Sequence, residues 1–405
     1  MMLSQTSVSS SRAACSHTQR RSSRPAVATH QQQHHRHLRA VVVPSAEAAT
    51  QAPTMPLKDV LELLVDRVDL SEQQARSAMA SILHDFSPEQ AAAFMVLLRA
   101  KGETPAEVAG LAKAMMDCVT PVKLSSSGQG VVDIVGTGGD GIGSVNISTG
   151  ACIVAAAAGA RVAKHGSRSA SSLCGSADVL EALGVSIGLG PEGVARCIDE
   201  AGVGFMFAPR YHPAMARVRP IRSALKIRTV FNMLGPLLNP ADVSFSLVGT
   251  YSPSISPLMA ESLRLLGMQH ALVVHSCGLD ELTPMGPADV VEVSAGSSSL
   301  KHYTLDPKDL GIPRCEVADL AGGDKELNAQ ILRDVFGGAK GAVADALNLN
   351  AGYALAASRV AADPREGVMM AQEAQRAGKA GAVLAKWVAV SNEAELQEAS
   401  AATQQ

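Results

Sequence analysis

The sequence predicts an α/β protein in which a small N-terminal helical domain precedes a larger domain built on a central, mainly parallel sheet. Three observations predict it. Residues from Pro56 to about Val122 carry three helix-start signals in close succession. From Val131 onward, short apolar runs alternate with helical stretches. Between the first such run and the helix after it lies the glycine-dense turn Gly136-Thr137-Gly138-Gly139-Asp140-Gly141-Ile142-Gly143. A chain of 405 residues, 47% apolar and 18% charged, is long enough for two domains and a large buried core.

Residues 1–46 stand apart. They hold six arginines (Arg12, Arg20, Arg21, Arg24, Arg36, Arg39), nine serines and five histidines, with no acidic residue and no lysine. That is the composition of an organelle transit peptide, here assigned to 1–50 and expected to be disordered. The run Val41-Val42-Val43 is too short for the apolar core of a secretory signal. Without this segment, 29 basic residues face all 38 acidic ones, a net charge of −9, which argues against nucleic acid as a partner. No apolar run reaches the roughly 18–20 residues that span a bilayer, so no membrane partner is expected. Seven cysteines without C-x-x-C pairing exclude a disulfide framework or zinc site and read as buried neutral thiols.

The helical domain is assigned to 54–124. Ser71-Glu72-Gln73-Gln74, Ser87-Pro88-Glu89-Gln90 and Thr104-Pro105-Ala106-Glu107 each place a hydroxyl three residues before Glu or Gln. With a helix over Leu57 to Arg67, they give four short helices. The α/β domain is assigned to 129–395, with strands expected at Val131–Val135, Ala160–Ala163, Ser244–Val248, Ala271–His275 and Val290–Val293. Helices are expected from Asn146, over Ser176 to Leu183, and in the closing segments Asn328 to Phe336, Ala344 to Val360 and Pro364 to Ala377. Phe207 to Asn239, dense in proline and arginine, reads as irregular. Residues from about 208 to 235 are expected to return to the helical domain and form the far wall of a cleft. The last residues, 396–405, read as a disordered tail.

Chemistry concentrates at four places. The glycine turn lets several N–H groups converge on one anion, and the helix starting near Asn146 adds its positive end. Gly136, Gly138 and Gly141 satisfy the dinucleotide spacing, but the second strand ends in Lys164-His165-Gly166-Ser167-Arg168 rather than in the acid that would take a ribose. A Walker loop fails because Ile142 follows Gly141 where lysine should stand. Both turns therefore suit one phosphate-rich ligand. Asp280-Glu281, on a turn after an apolar strand, suits a hard cation such as Mg²⁺. An acidic pair alone is more often a solvated loop, and the two phosphate-type turns weigh for the cation. Finally, Arg210, Arg217, Arg219 and Arg222 offer planar forks for a carboxylate. His212 reads equally as catalytic or structural.

The strings Gly136-Thr137-Gly138-Gly139-Asp140, Asn146-Ile147-Ser148-Thr149, Lys164-His165-Gly166, Gly175 to Gly184 and Phe231-Asn232-Met233-Leu234-Gly235-Pro236-Leu237-Leu238-Asn239-Pro240 resemble the anthranilate phosphoribosyltransferases of the plant and algal type. The similarity runs in order from about Pro56 to Asn392. It implies the class III nucleoside-phosphorylase/phosphoribosyltransferase-like architecture and a homodimer formed through the helical domain. It also implies Mg²⁺-dependent transfer of the phosphoribosyl group of phosphoribosyl pyrophosphate (PRPP) to the amine of anthranilate, in tryptophan biosynthesis. Carried over, the PRPP contacts fall on Gly136, Gly139, Asp140, Ser144, Asn146, Ile147, Ser148, Thr149, Lys164, His165, Gly166, Ser167, Arg168, Ser169, Ala170, Ser171, Ser172 and Ser176. Metal ligands fall on Ser148, Asp280 and Glu281. Anthranilate contacts fall on Gly136, Ser167, Arg222 and His212.

Lys164 and Arg222 are expected to stabilise the transition state, and no covalent nucleophile is assigned. Ser167 departs from the asparagine usual after Lys-His-Gly, and Lys226 stands where many bacterial members carry glycine. The resemblance favours the chloroplast stroma, whereas composition alone would suit a mitochondrion equally. The rival readings are a pyrimidine-nucleoside phosphorylase, whose Ser-Thr-Gly-Gly-Val-Gly-Asp style loop is absent, and a non-catalytic homologue that binds nucleic acid.

Overall fold

The computed structural model describes residues 55–84, 87–125, 130–169 and 173–403. The segment 1–50 and Ala170, Ser171 and Ser172 lie outside the described residues.

Four helices open the chain: α1 (Leu57–Val65), α2 (Glu72–His84), α3 (Pro88–Lys101) and α4 (Pro105–Met116). Their start signals act as the sequence predicts. Ser71 and Gln74 exchange main-chain and side-chain bonds at 2.8 and 3.3 Å, Ser87 Oγ accepts from Gln90 N, and Thr104 with Glu107 completes a capping box. Glu107 is fully buried, yet its carboxylate also accepts from Leu70 N and Lys101 Nζ, which keeps the charge satisfied.

The second half alternates as expected. It comprises β1 (Val131–Gly136), α5 (Ile147–Ala157), β2 (Arg161–Gly166), α6 (Ser176–Ala182), α7 (Pro191–Ala201) and β3 (Val203–Phe207). Then come α8 (Ala208–Tyr211), α9 (Met215–Leu225), α10 (Phe231–Leu234), β4 (Phe245–Gly249), α11 (Ser256–Leu265), β5 (His270–Ser276), β6 (Ala288–Ser294) and β7 (Lys301–Leu305). The chain closes with α12 (Lys325–Phe336), α13 (Ala342–Ala357), α14 (Pro364–Arg376) and α15 (Lys379–Thr403). The sheet order is β3-β2-β1-β4-β5-β6-β7, parallel from β3 to β5 and antiparallel at β6 and β7.

Successive strand residues feed two cores. Ile134, Leu247, Leu272 and Val290 face α5 and the closing helices, while Val135, Val248, Val273 and Val291 face the helical bundle and α11. Both faces are covered, which is why the parallel strands read as nearly unbroken apolar runs. The chain leaves β1 toward β2 on one side and returns to β4 on the other. The crevice above the carboxyl ends of β1 and β4 is therefore the place such sheets offer a ligand.

Two expectations are corrected. Phe207 to Asn239 is helical rather than irregular: α9 holds Pro220 in its interior, and Val218, Ile221, Val230 and Phe231 are buried in the bundle's core. Their burial overrides the local proline signal. Residues 396–403 continue α15 instead of forming a disordered tail, because Glu398 accepts from Gly190 N at the start of α7. Among the cysteines, Cys152, Cys174 and Cys197 are buried, whereas Cys277 is exposed.

Lys226 closes α9 in the left-handed region, at φ 52°. A side chain there is strained, so Lys226→Gly is expected to stabilise the fold by about 1 kcal/mol in denaturant unfolding.

Candidate active site

The site is built at the end of β1. Gly138, Gly139, Gly141 and Gly143 all have positive φ (71°, 83°, 80° and 72°), so the turn keeps its curl only with residues that lack a Cβ. Asp280 lies across the crevice. Its Oδ2 accepts from Gly138 N at 2.6 Å. A Cβ at Gly136 would sit 2.2 Å from Asp280 Oδ2, and one at Gly249, the β4 partner of Gly136, only 1.6 Å from Asp280 O. The paired glycines at the ends of β1 and β4 thus make the space that Asp280 occupies, Gly136 for its carboxylate and Gly249 for its main chain.

Glu281 completes the arrangement by accepting from Ser148 N, in the first turn of α5, at 3.1 Å. Beneath it, buried Lys164 at the end of β2 donates to Ile134 O at 2.8 Å and to Ser148 Oγ at 3.4 Å. Burial holds the Asp280 and Glu281 carboxyls well above the ordinary carboxylate range. The nearby charge of Asp140 adds to this for Asp280, and that of Asp280 does so for Glu281, where Lys164 opposes it only in part. Three acids and one ammonium leave the crevice short of positive charge. Among the described residues no cluster of three or more His, Cys, Asp or Glu side chains forms a metal cage. Mg²⁺ needs none, because one or two carboxylates suffice when phosphate oxygens and water fill the rest. The donor set fits that ion.

The structure brings Gly136, Gly139, Asp140, Ser148, Lys164, Asp280 and Glu281 together, as the sequence predicts. Others serve differently. Asn146 spends its amide on Cys174 O and on Asn328, so it faces a ligand through its main chain alone. Ile147 is likewise buried, Thr149 Oγ1 donates to Ser176 Oγ at 3.0 Å, and Ser144 bridges to Ala321. Gly166 is glycine because a Cβ would meet the Phe205 ring at 2.8 Å. Ser167 is exposed at the mouth of this turn.

Arg168, expected on phosphate, instead pairs with Asp178 and Glu181 at 2.7 Å and lies over the Phe207 ring, anchoring the turn. Ser169 N likewise reaches Asp178, at 3.4 Å. His165 and His212 are also corrected. Their rings pack 5.0 Å apart in the core, His165 against Gly235 O and His212 Nε2 against Leu238 O. Burial holds both imidazoles neutral, that of His165 down to about 3. His212 is thus packed into the core, between the His165 ring and Leu238 O. Arg222 is half-buried over the Phe231 ring and has no carboxylate or hydrogen-bond partner among the described residues.

Sequence reasoning missed two residues. Arg228 lies over the Tyr251 ring at 4.2 Å and donates to Gly139 O, clamping the glycine turn. Asn350, fully buried on α13, accepts from Leu282 N at 3.1 Å and donates to Leu282 O at 2.7 Å, holding the main chain directly after the acidic pair. Neither belongs to a local motif.

A glycine-curved anion loop facing an acidic pair, at the switch point of a helix-covered sheet, defines a binding site for a phosphate-rich ligand. The chain matches the profile of the glycosyl transferase family, a/b domain, over residues 128–381, and that of the family's helical bundle domain over 58–119. It is 47% identical over 341 residues to the anthranilate phosphoribosyltransferase of Roseiflexus castenholzii, covering 84% of this chain and 99% of that one. Among solved structures it resembles the anthranilate phosphoribosyltransferase of Thermus thermophilus, with TM-score 0.78 and 42% identity over 82% of this chain and 99% of that one. It also resembles the Saccharomyces cerevisiae enzyme in complex with PRPP and Mg, with TM-score 0.76 and 28% identity over 83% and 98%. The chain belongs to the glycosyl transferase family and, within it, to the anthranilate phosphoribosyltransferases.

Proposed function

We infer that the chain transfers the phosphoribosyl group of PRPP to the amine of anthranilate, releasing pyrophosphate, the second step of tryptophan biosynthesis from chorismate. The observation that carries this is the meeting of Asp280 and Glu281 with the Gly136 turn and Ser148. The amine attacks the anomeric carbon, the C–O electron pair leaves with pyrophosphate, and one amine proton is released. Asp280 and Glu281, with Ser148, would hold Mg²⁺. What Mg²⁺ supplies when bound is neutralisation of diphosphate charge. The glycine-curved main chain and the N-terminus of α5 offer fixed donors to the same anion, and Lys164 adds a buried cation beneath them. Arg222, without a carboxylate or hydrogen-bond partner among the described residues, orients the anthranilate carboxylate. Positioning and electrostatics carry the rate.

The purified chain, given PRPP, Mg²⁺ and anthranilate, is expected to abolish anthranilate fluorescence while releasing stoichiometric pyrophosphate. Fluorescence that persists at high enzyme concentration would reject this function. We also propose a homodimer formed through the bundle, which leaves Val65, Val68 and Val96 exposed, with sedimentation of the wild type as its test. We propose import into the chloroplast, on the arginine- and serine-rich segment 1–46 taken together with the plant and algal resemblance. A fluorescent fusion of that segment distinguishes chloroplast from mitochondrion.

A further inference from the structure

We propose that Asn328, on α12, is a positioning residue that sets the phosphate loop through Asn146. The inference rests on reading that loop as the diphosphate site of PRPP. From the residue-by-residue bonding, the second half of the loop is a zippered segment. Gly322 N donates to Gly143 O at 3.0 Å, Ser144 bridges Ala321, and Val145 N donates to Leu320 O at 2.9 Å. The next residue in line, Asn146, has no main-chain partner in this ladder, and Asn328 takes over. Its Nδ2 donates to Asn146 Oδ1 at 2.9 Å, while its Oδ1 accepts from Gly323 N at 2.7 Å.

The amide of Asn328 therefore bridges the ladder diagonally, joining Asn146, one step past the Val145–Leu320 end, to Gly323, one step past the Gly143–Gly322 end. Asn328 is 1% exposed, so its own amide is withdrawn from solvent and relies on these contacts. The geometry tolerates little else. A Cβ at Gly322 would lie 2.8 Å from both Asn328 Oδ1 and Val145 N. Asn146 is the residue at which the loop becomes α5, and its own Nδ2 is held by Cys174 O at 3.1 Å. With both amide ends fixed, the direction of the first N–H groups of α5 is fixed as well. Those are the donors that the proposed function aims at pyrophosphate. A helix of the closing segments, remote in sequence from the glycine turn, thus carries a side chain that aligns the anion site.

The test is PRPP binding by the full-length chain at saturating Mg²⁺, followed by calorimetry, for the wild type, Asn328→Ala, Asn146→Ala and the double variant. Each single change is expected to raise the dissociation constant about ten-fold, the size of a lost buried hydrogen bond, and the double variant no further. The KM for anthranilate is expected to stay within about two-fold, since uniform damage would raise both. Asn328→Asp, which keeps an acceptor for Gly323 N but loses the donor to Asn146, should repeat the effect and serves if the alanine variant does not fold. Wild-type PRPP affinity in a folded Asn328 variant would overturn the proposal even with a lowered Tm. So would single effects that multiply in the double variant. A wild-type chain that fails to bind PRPP would instead overturn the functional reading and, with it, this role.

Discussion

Asp280→Asn with Glu281→Gln is expected to leave the fold intact and to lower kcat/KM by at least about 100-fold, with Mg²⁺ no longer tightening PRPP binding. The replacements are near-isosteric. An asparagine oxygen can still accept from Gly138 N, and a glutamine oxygen from Ser148 N, so the change removes charge more than contacts. The same variant should abolish a pH dependence. In the folded protein both carboxyls are held above their ordinary values of 3.8 and 4.5, so the folded state keeps protons that the unfolded state has lost. The pair's contribution to the stability of the metal-free wild type is then fully present below about pH 4 and is lost as the pH rises toward about 8. The double variant should lack that fall and be the more stable of the two at pH 8. Denaturant unfolding at pH 5 and pH 8, with calorimetry of PRPP at graded Mg²⁺, measures both effects. Unchanged metal dependence would remove Asp280 and Glu281 from the metal site.

What sequence can show of this site is whatever lies in short strings. The Gly136 turn is legible because positive φ needs glycine at fixed local positions, and Asp280-Glu281 because two adjacent acids after an apolar strand are uncommon. The capped starts of α3 and α4 are legible for the same reason: a cap acts over three residues. The residues that escape act over long separations. Arg228 reaches Gly139 across 89 positions, Asn350 reaches Leu282 across 68, and Asn328 reaches Asn146 across 182. No local pattern distinguishes such an asparagine from one that merely faces solvent. His212 shows the converse. A histidine among arginines looks like part of a binding face, but residue type does not say which way the ring turns, and here it turns to His165 and Leu238 O. Strand β7 falls outside the expected set because its Lys-His-Tyr-Thr run, mostly exposed at the sheet edge, lacks the apolar signature of the buried strands.

Arg222→Ala is expected to raise the KM for anthranilate about 10- to 100-fold while the KM for PRPP stays within about two-fold, the cost of one charge-assisted pair. Arg222 differs in its surroundings from Arg210, Arg217 and Arg228, and also from Arg219, which likewise lacks a hydrogen-bond or carboxylate partner among the described residues but lies exposed. Arg210 is held by Gly188 O and Glu398, Arg217 by Leu83 O and His84 O at 3.2 Å, and Arg228 by Gly139 O and Tyr251. Arg222 has only the face of Phe231, 5.4 Å from its guanidinium carbon, and burial lowers its pKa from the usual value. A half-buried cation without a counter-charge is costly unless something brings one, and the carboxylate of anthranilate would do so beside an aromatic ring already in place. Arg222→Lys should rescue poorly, since an ammonium offers no planar fork for a bidentate carboxylate. If the KM values for both substrates rise together, Arg222 holds the crevice rather than the acceptor, and the anthranilate carboxylate must be sought at another cation. Ser167, exposed at the mouth of the β2 turn, carries no charge that could take that part.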